Sequence, residues 1–285
     1  MTDTDIGAEL IDKLGYSPQE LGFDPAELKA RYLAERDKRL RLDANEQYVE
    51  VTAEFSRYIE DPYVEPGFSR DPIFDEVQVT VIGGGFGGLL MGARLREAGY
   101  DSIRLVEKAG DVGGTWYWNR YPGAACDVES YVYLPLLEEL GAMPRTKYPF
   151  APEIFEHSRA IARHFNLYED ALFQTGITEL RWDDAASRWI VKTDRGDEFK
   201  TQFIAMANGP LNRPKLPGIP GINEFKGYTF HTSRWDYDYT GGSPSGEPME
   251  KLADKRVLID AGPGGTPDGM RCDVDGNLWC GWGMG

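Results

Sequence analysis

The sequence predicts an α/β fold, in which helices cover a largely parallel sheet. Residues 77–82 form a β-branched run with the composition of a buried parallel strand. Glycines follow at once, then a helical segment rich in small and apolar residues at 89–95 and a second apolar run at 102–107. A strand, a glycine turn, a helix and a strand within about 32 residues have the size of a βαβ crossover.

Length and charge limit the classes of protein that the chain can represent. Its 285 residues allow one large domain or two smaller ones. The formal net charge of −16 makes nucleic acid and membrane surfaces poor candidate partners, because an acidic surface repels phosphate groups. No apolar run approaches the roughly 20 residues of a membrane-spanning helix. Composition does not predict an oligomeric state.

The termini and the cysteines indicate a cytoplasmic protein. The first ten residues, MTDTDIGAEL, lack the basic start and the apolar run of a secretory signal. Cys126, Cys272 and Cys280 are too few and too scattered for a disulfide framework, and they suit a reducing cytoplasm. The sequence shows no strong metal-ligand cluster, so we expect no metal site.

The first 75 residues predict an arm that is partly helical and partly extended. Asp24 and Pro25 form a helix start, because aspartate caps free N–H groups and proline suits the first turn. A charged helix is expected over residues 26–42. Pro62, Pro66 and Pro72 then break the chain into an extended segment. We expect this arm to pack across the domain that follows, over residues 76–257.

Beyond the crossover, the pattern predicts one more helix and a three-stranded β meander. The helix is expected over residues 151–165, beginning near Pro152. The strands are expected at residues 177–182, 188–193 and 198–205, joined by two polar turns. Residues 208–222 are rich in proline and glycine and read as a connector.

The glycine turn after the first strand predicts a dinucleotide site. Gly83, Gly85 and Gly88 match GxGxxG, and Glu107 ends the next strand about twenty residues further on. In this motif the glycines permit a tight turn, the approach of a pyrophosphate and close packing of helix on strand. The helix N-terminus offers N–H groups to the phosphates, and Glu107 can accept hydrogen bonds from ribose hydroxyls. The motif alone does not separate FAD from NAD.

The segment at residues 111–123, DVGGTWYWNRYPG, favours FAD. It closely resembles the second glycine segment of two-dinucleotide flavoproteins, which runs along the FAD. Its aromatic residues could equally form plain core. Their position directly after Glu107 and Gly113-Gly114 favours contact with the cofactor.

A further motif is more specific. Residues 225–236 fit FxGxxxHxxxW[PD], with Phe225, Gly227, His231, Trp235 and Asp236 at its fixed positions. This pattern identifies Baeyer–Villiger monooxygenases, and the resemblance runs from about residue 25 to residue 257. Related flavin N- and S-oxygenases usually have tyrosine or phenylalanine in place of the tryptophan.

The resemblance implies an FAD- and NADPH-dependent monooxygenase that converts a ketone and O₂ to an ester or lactone through a flavin peroxide. It implies FAD contacts at Gly83, Gly85, Phe86, Gly88, Glu107, Gly114, Thr115, Trp116, Tyr117, Trp118, Tyr133 and, through its backbone, Ile177.

The resemblance also implies a place for four further residues. Ala125, Cys126 and Asp127 are expected between flavin and nicotinamide. Asp127 resembles the carboxylate that holds an essential arginine over the flavin. His231 resembles the histidine that orders the linker between two nucleotide-binding domains. Asp127 and His231 are therefore the candidate catalytic residues.

Residues 258–285 depart from the family. The family continues into a second GxGxxG that binds NADPH, whereas this chain has Gly262-Pro263-Gly264. The segment resembles one propeller blade of the gluconolactonase family, with Asp268 at the position of a metal ligand. We therefore expect a foreign or disordered tail and no turnover by this chain alone. The domain before the tail is expected to be an incomplete Rossmann-like FAD-binding domain of the two-dinucleotide-binding flavoprotein type, truncated before the NADPH domain.

Three alternatives stay open on sequence grounds. One is a flavin-dependent N- or S-monooxygenase, against which Trp235-Asp236 argues. Another is a non-catalytic FAD-binding fragment. The most remote is a metal-dependent lactonase, which rests only on the tail.

Overall fold

The computed structural model of the protein describes residues 22–40, 42–244, 265–272 and 278–284. The helices are α1 Pro25–Asp37, α2 Phe86–Glu97, α3 Thr115–Trp118, α4 Ser130–Tyr133, α5 Leu137–Leu140, α6 Ala151–His164 and α7 Tyr237–Thr240. The strands are β1 Tyr48–Glu50, β2 Glu76–Ile82, β3 Ile103–Val106, β4 Ile177–Asp183, β5 Arg188–Thr193, β6 Glu198–Met206, β7 Lys215–Pro217, β8 Gly265–Cys272 and β9 Leu278–Met284.

A five-stranded mixed sheet organises the molecule, in the order β3-β2-β6-β5-β4. Strands β3, β2 and β6 run parallel, whereas β4, β5 and β6 form an antiparallel meander. Strand β6 belongs to both halves, because Thr201 pairs with Val77 of β2 and with Trp189 of β5. The predicted α/β fold with its three-stranded meander is confirmed.

The main apolar core lies where helices α2 and α6 meet the parallel strands. It contains Val81 of β2, Leu105 of β3, Leu89 of α2 and Ile161 of α6, all nearly or fully buried. Each such side chain contributes about 1.5–3 kcal/mol when removed from water. Among the described helices, none combines the length and the apolar character needed to cross a lipid bilayer.

The contacts divide the chain into two units, residues 1–60 with 213–229 and residues 61–212 with 230–285. In the smaller unit, β1 pairs with β7, and Val51, Tyr58 and Leu216 form a small core. Asp24 caps α1 by accepting from the Ala26 amide at 2.8 Å. The expected domain boundaries at residues 75 and 257 stay predictions.

Helix α1 ends at Asp37, so its predicted extension to residue 42 is wrong. Leu40 and Leu42 are exposed, and no apolar contact stabilises further turns there.

Strands β8 and β9 form an antiparallel hairpin near the C-terminus. Residues 245–264 and 273–277, which include much of the predicted tail, lie outside the described residues. The likeness of this segment to a propeller blade stays a prediction, as does the role suggested for Asp268.

A buried carboxylate holds residues 70–73 against the meander. Asp197 accepts two hydrogen bonds from the Arg70 guanidinium at 2.6 Å and one from the Ile73 amide at 2.9 Å. The Thr193 hydroxyl donates to the same carboxylate. Burial alone would raise the pKa of Asp197, but these donors outweigh it and hold the pKa at about 2.

We predict that Asp197→Asn lowers the free energy of unfolding by about 3 kcal/mol at pH 7, because Arg70 loses its buried partner. Because the pKa of Asp197 in the folded protein lies below the ordinary value of 3.8, the ionised carboxylate stabilises the fold above pH 3.8. That stabilisation is lost as the pH falls toward about 2. The stability gap between wild type and variant should therefore narrow over that interval in urea titrations. Asp101→Asn is the control, since Asp101 is 98% exposed, and a gap independent of pH would contradict the account.

Candidate functional site

A groove of about 530 Å³ opens at the carboxyl ends of β2 and β3. Ligands of open α/β sheets bind at this edge. The groove is lined by ten residues that the sequence analysis selected: Gly83, Gly85, Phe86, Glu107, Gly114, Thr115, Trp116, Trp118, Tyr133 and Ile177. The fold thus brings together residues that lie up to 94 positions apart in the sequence (177 − 83).

The first glycine segment makes a turn that side chains would obstruct. Gly83 has φ +106°, and a Cβ there would lie 2.4 Å from the Ala207 carbonyl oxygen. A Cβ on Gly88 would lie only 1.8 Å from the Gly83 carbonyl oxygen. Gly88 therefore lies behind the turn and allows α2 to pack closely on β2. Its contribution to binding is expected to be indirect.

The second glycine segment meets the first in the groove. Gly114 has φ +53°, and a Cβ there would lie 2.7 Å from the Gly85 Cα. The Gly113 amide donates to the Gly84 carbonyl at 2.8 Å. Only glycine lets these two backbones come so close, and the groove opens beside their contact.

The N-terminus of α2 faces this space without a side-chain cap. Gly85 is its N-cap residue and, as a glycine, has no side chain that could accept a hydrogen bond from the first turn. The first N–H groups of a helix have no partner within the helix and carry a partial positive charge. They can therefore bind the two negative charges of a pyrophosphate.

Glu107 holds a buried carboxylate at the end of β3. It accepts from the Gly84 amide at 2.5 Å and from the Ala109 amide at 2.8 Å. Burial raises the pKa of Glu107, and these two amides oppose that rise. The carboxylate lines the groove, so its remaining lone pairs can accept hydrogen bonds from ligand hydroxyls.

Aromatic side chains line another part of the groove. The Trp116 indole donates to the Tyr133 hydroxyl at 2.8 Å, and the Phe86 ring lies 5.6 Å from the Tyr133 ring. The hydroxyl of Tyr133 thereby keeps its own hydrogen available for a further acceptor. Desolvation raises the pKa of Tyr133, so this phenol stays protonated at neutral pH.

Tyr117 is not among the residues that line the groove. Its ring is buried against Tyr63 and Phe155, and its hydroxyl donates to Asp61 at 2.6 Å. The helical twist of α3 accounts for this, because consecutive residues of a helix point in different directions. Its predicted contact with FAD stays a prediction.

The three residues expected near the nicotinamide also lie outside this lining. Cys126 is buried with Leu134 and Ile154, whereas Ala125 and Asp127 are exposed. Their predicted roles between flavin and nicotinamide stay predictions.

His231 caps a short 3₁₀ turn, Thr232–Arg234. Its Nδ1 accepts from the Ser233 amide at 3.1 Å, which makes it a residue that orders the local backbone. The predicted part of His231 in catalysis stays a prediction.

Residues 206–212 form a wall of the groove that is absent from the site residues selected from the sequence. The connector reaches the groove because β6 pairs in parallel with β2 up to Met206 opposite Ile82, and the Ala207 amide donates to the Ile82 carbonyl. Lys108, Thr175 and Gly176 also line the groove. The pairing of β6 with β2 determines this arrangement, and it joins strands that lie far apart in the sequence.

Comparisons with known proteins agree with this geometry. The family described as NAD(P)-binding Rossmann-like domain matches residues 81–143, which hold both glycine segments. A neopentalenolactone D synthase of Streptomyces avermitilis is 60% identical over 84% of this chain and 40% of its own length. A Baeyer–Villiger monooxygenase of Streptomyces coelicolor is 54% identical over 85% of this chain and 40% of its own length.

Solved structures give the same result. A polycyclic ketone monooxygenase from Thermothelomyces thermophila has a TM-score of 0.74 and 39% identity, covering 81% of this chain and 40% of its own. The OTEMO complex with FAD and NADP has a TM-score of 0.53 and 32% identity, covering 62% and 33%. The chain spans about 40% of the length of the curated relatives that it matches.

Proposed function

This chain is homologous to Baeyer–Villiger monooxygenases, and on that premise we propose that its groove binds FAD for NADPH-dependent oxygenation of a ketone by O₂. The product is an ester or a lactone. The observation that carries the proposal is the meeting of the two glycine segments at Gly85 and Gly114, with the Glu107 carboxylate beside them. This arrangement suits a long ligand with a pyrophosphate at its centre.

Different residues of the groove would bind different parts of the cofactor. The uncapped start of α2 would hold the pyrophosphate, and Glu107 would accept hydrogen bonds from the adenosine ribose. Bound FAD would supply the chemistry that moves electrons from NADPH to O₂. Trp116, Trp118 and Tyr133 would shield the cofactor from water and orient it, and the Tyr133 hydroxyl has a hydrogen to donate.

The substrate class is a small-molecule ketone. One solved relative is named a polycyclic ketone monooxygenase, and the tryptophan at position 235 favours ketone oxygenation over N- or S-oxygenation.

Titration with two flavins tests the cofactor assignment. FMN lacks the adenosine and the second phosphate of FAD. It would therefore make no hydrogen bond to Glu107 and fewer contacts with the two glycine segments. We expect FAD to bind at least about 100-fold more tightly than FMN, a difference of about 2.7 kcal/mol. A folded sample that binds neither flavin, or both equally, would refute the assignment.

Isotope incorporation tests the reaction. The FAD-loaded chain is given NADPH, ¹⁸O₂ and cyclohexanone, with thioanisole in a parallel sample. A labelled lactone supports ketone oxygenation, and a labelled sulfoxide alone favours the S-oxygenase alternative. The sequence predicts no turnover by this chain alone, so FAD binding without either product is the expected result and identifies a module that binds the cofactor. Either labelled product would show that prediction to be wrong.

A further inference from the structure

The Arg234 side chain packs against a residue of the groove without lining the groove itself. It is buried, with 5% of its surface exposed, and its guanidinium carbon lies 3.6 Å from the centre of the Trp118 ring. Trp118 is almost fully buried, yet it contributes to the groove lining. A guanidinium over the face of an indole ring is attracted to it by a cation–π interaction, which strengthens away from water.

The same guanidinium reaches a second part of the lining. Its Nη2 lies 3.5 Å from the Asn212 carbonyl oxygen, at the outer limit of a hydrogen bond. Asn212 in turn donates to the Asn208 carbonyl at 2.8 Å, and both asparagines line the groove. Arg234 therefore touches helix α3 on one side and the 206–212 segment on the other.

The backbone around Arg234 is held firmly. The Arg234 amide donates to the His231 carbonyl at 2.8 Å, and the Trp235 amide donates to the Tyr63 hydroxyl at 3.1 Å. A side-chain hydrogen bond from Arg234 to the Ser233 carbonyl at 2.7 Å fixes the direction of the guanidinium. Desolvation lowers the pKa of Arg234 to about 10, and nearby Asp61 opposes this change. The arginine stays charged at neutral pH.

We propose that Arg234 is a positioning residue that braces the dinucleotide groove by joining Trp118 to the 206–212 segment. FAD affinity then depends on a side chain outside the groove lining. The part that concerns FAD rests on the proposed function, whereas the brace itself is a property of the protein without ligand.

The test compares Arg234→Lys with Arg104→Lys. Lysine keeps the charge but loses the planar group that stacks on the ring. Arg104 is a matched control, because it is 6% exposed and its guanidinium carbon lies 4.8 Å from the centre of the Phe199 ring, outside the groove lining. We expect Arg234→Lys to weaken FAD binding about 10-fold and Arg104→Lys to change it less than about twofold.

Amide hydrogen exchange of the free protein supplies a second readout. Arg234→Lys should speed exchange at residues 116–119 and 206–212, and Arg104→Lys should not. The proposed bracing role of Arg234 would be overturned if Arg234→Lys kept both the FAD affinity and the amide exchange rates of wild type. It would also be overturned if Arg234→Lys and Arg104→Lys changed these two quantities equally. If wild type binds no FAD, the proposed function fails, and the exchange rates alone decide on the brace.

Discussion

Replacing Gly88 with alanine is expected to lower the free energy of unfolding by at least about 3 kcal/mol and to abolish FAD binding. The new methyl would lie 1.8 Å from the Gly83 carbonyl oxygen and 3.4 Å from a methyl of Val81. Neither the carbonyl nor the strand behind it can yield, so α2 must move away from β2. That movement displaces the N–H groups proposed to bind the pyrophosphate. Urea titration and FAD titration measure the two losses.

Gly87→Ala is the matched control for the predicted loss of stability, although not for FAD binding, because Gly87 itself lines the groove. A Cβ on Gly87 meets only the Ala207 side chain, at an ordinary contact distance of 3.5 Å. Alanine is the better helix former, so we expect a stability equal to wild type or up to about 1 kcal/mol higher. Equal destabilisation by both variants would show that close packing at Gly88 is not the cause.

Glu107→Gln is expected to weaken FAD binding about 100-fold, or about 2.7 kcal/mol. The amide keeps the shape of the carboxylate but loses its charge, and its NH₂ group must face either the Gly84 amide or the Ala109 amide. We expect the free energy of unfolding to fall by less than about 2 kcal/mol, because removing a buried charge offsets part of the lost hydrogen bonding. FAD affinity should therefore change more than stability.

The pH dependence of stability separates these two effects. A raised carboxyl pKa means that the folded protein holds its proton more strongly than the unfolded chain, so stability falls as pH rises through the titration of Glu107. Glu107→Gln should remove that contribution.

Glu76→Gln, at a half-exposed carboxylate on β2, should leave FAD affinity unchanged and stability within about 0.5 kcal/mol. A Glu107→Gln variant that binds FAD like wild type would contradict the ribose assignment.

The sequence predicted those features that depend on local geometry. The turn at Gly83 and the packing at Gly88 require glycine whatever the rest of the fold does, so the motif could be recognised from its spacing. The meander strands were predicted within two residues of their observed ends, because apolar alternation and polar turns are local signals.

Features that depend on distant contacts could not be predicted. The parallel pairing of β6 with β2 carries residues 206–212 to the groove, and it joins strands far apart in the sequence. The stacking of Arg234 on Trp118 joins residues 116 positions apart (234 − 118). In the aromatic cluster, Trp116 and Trp118 line the groove, whereas Tyr117 packs in the core. Their contacts with FAD stay predictions.

A crystal structure of the chain with FAD tests the central claim most directly. The account predicts the pyrophosphate at the N-terminus of α2 beside Gly85 and Gly87, the adenosine ribose on Glu107, and the flavin ring toward Trp116 and Tyr133. A flavin bound elsewhere, or a pyrophosphate away from the glycine turn, would contradict it.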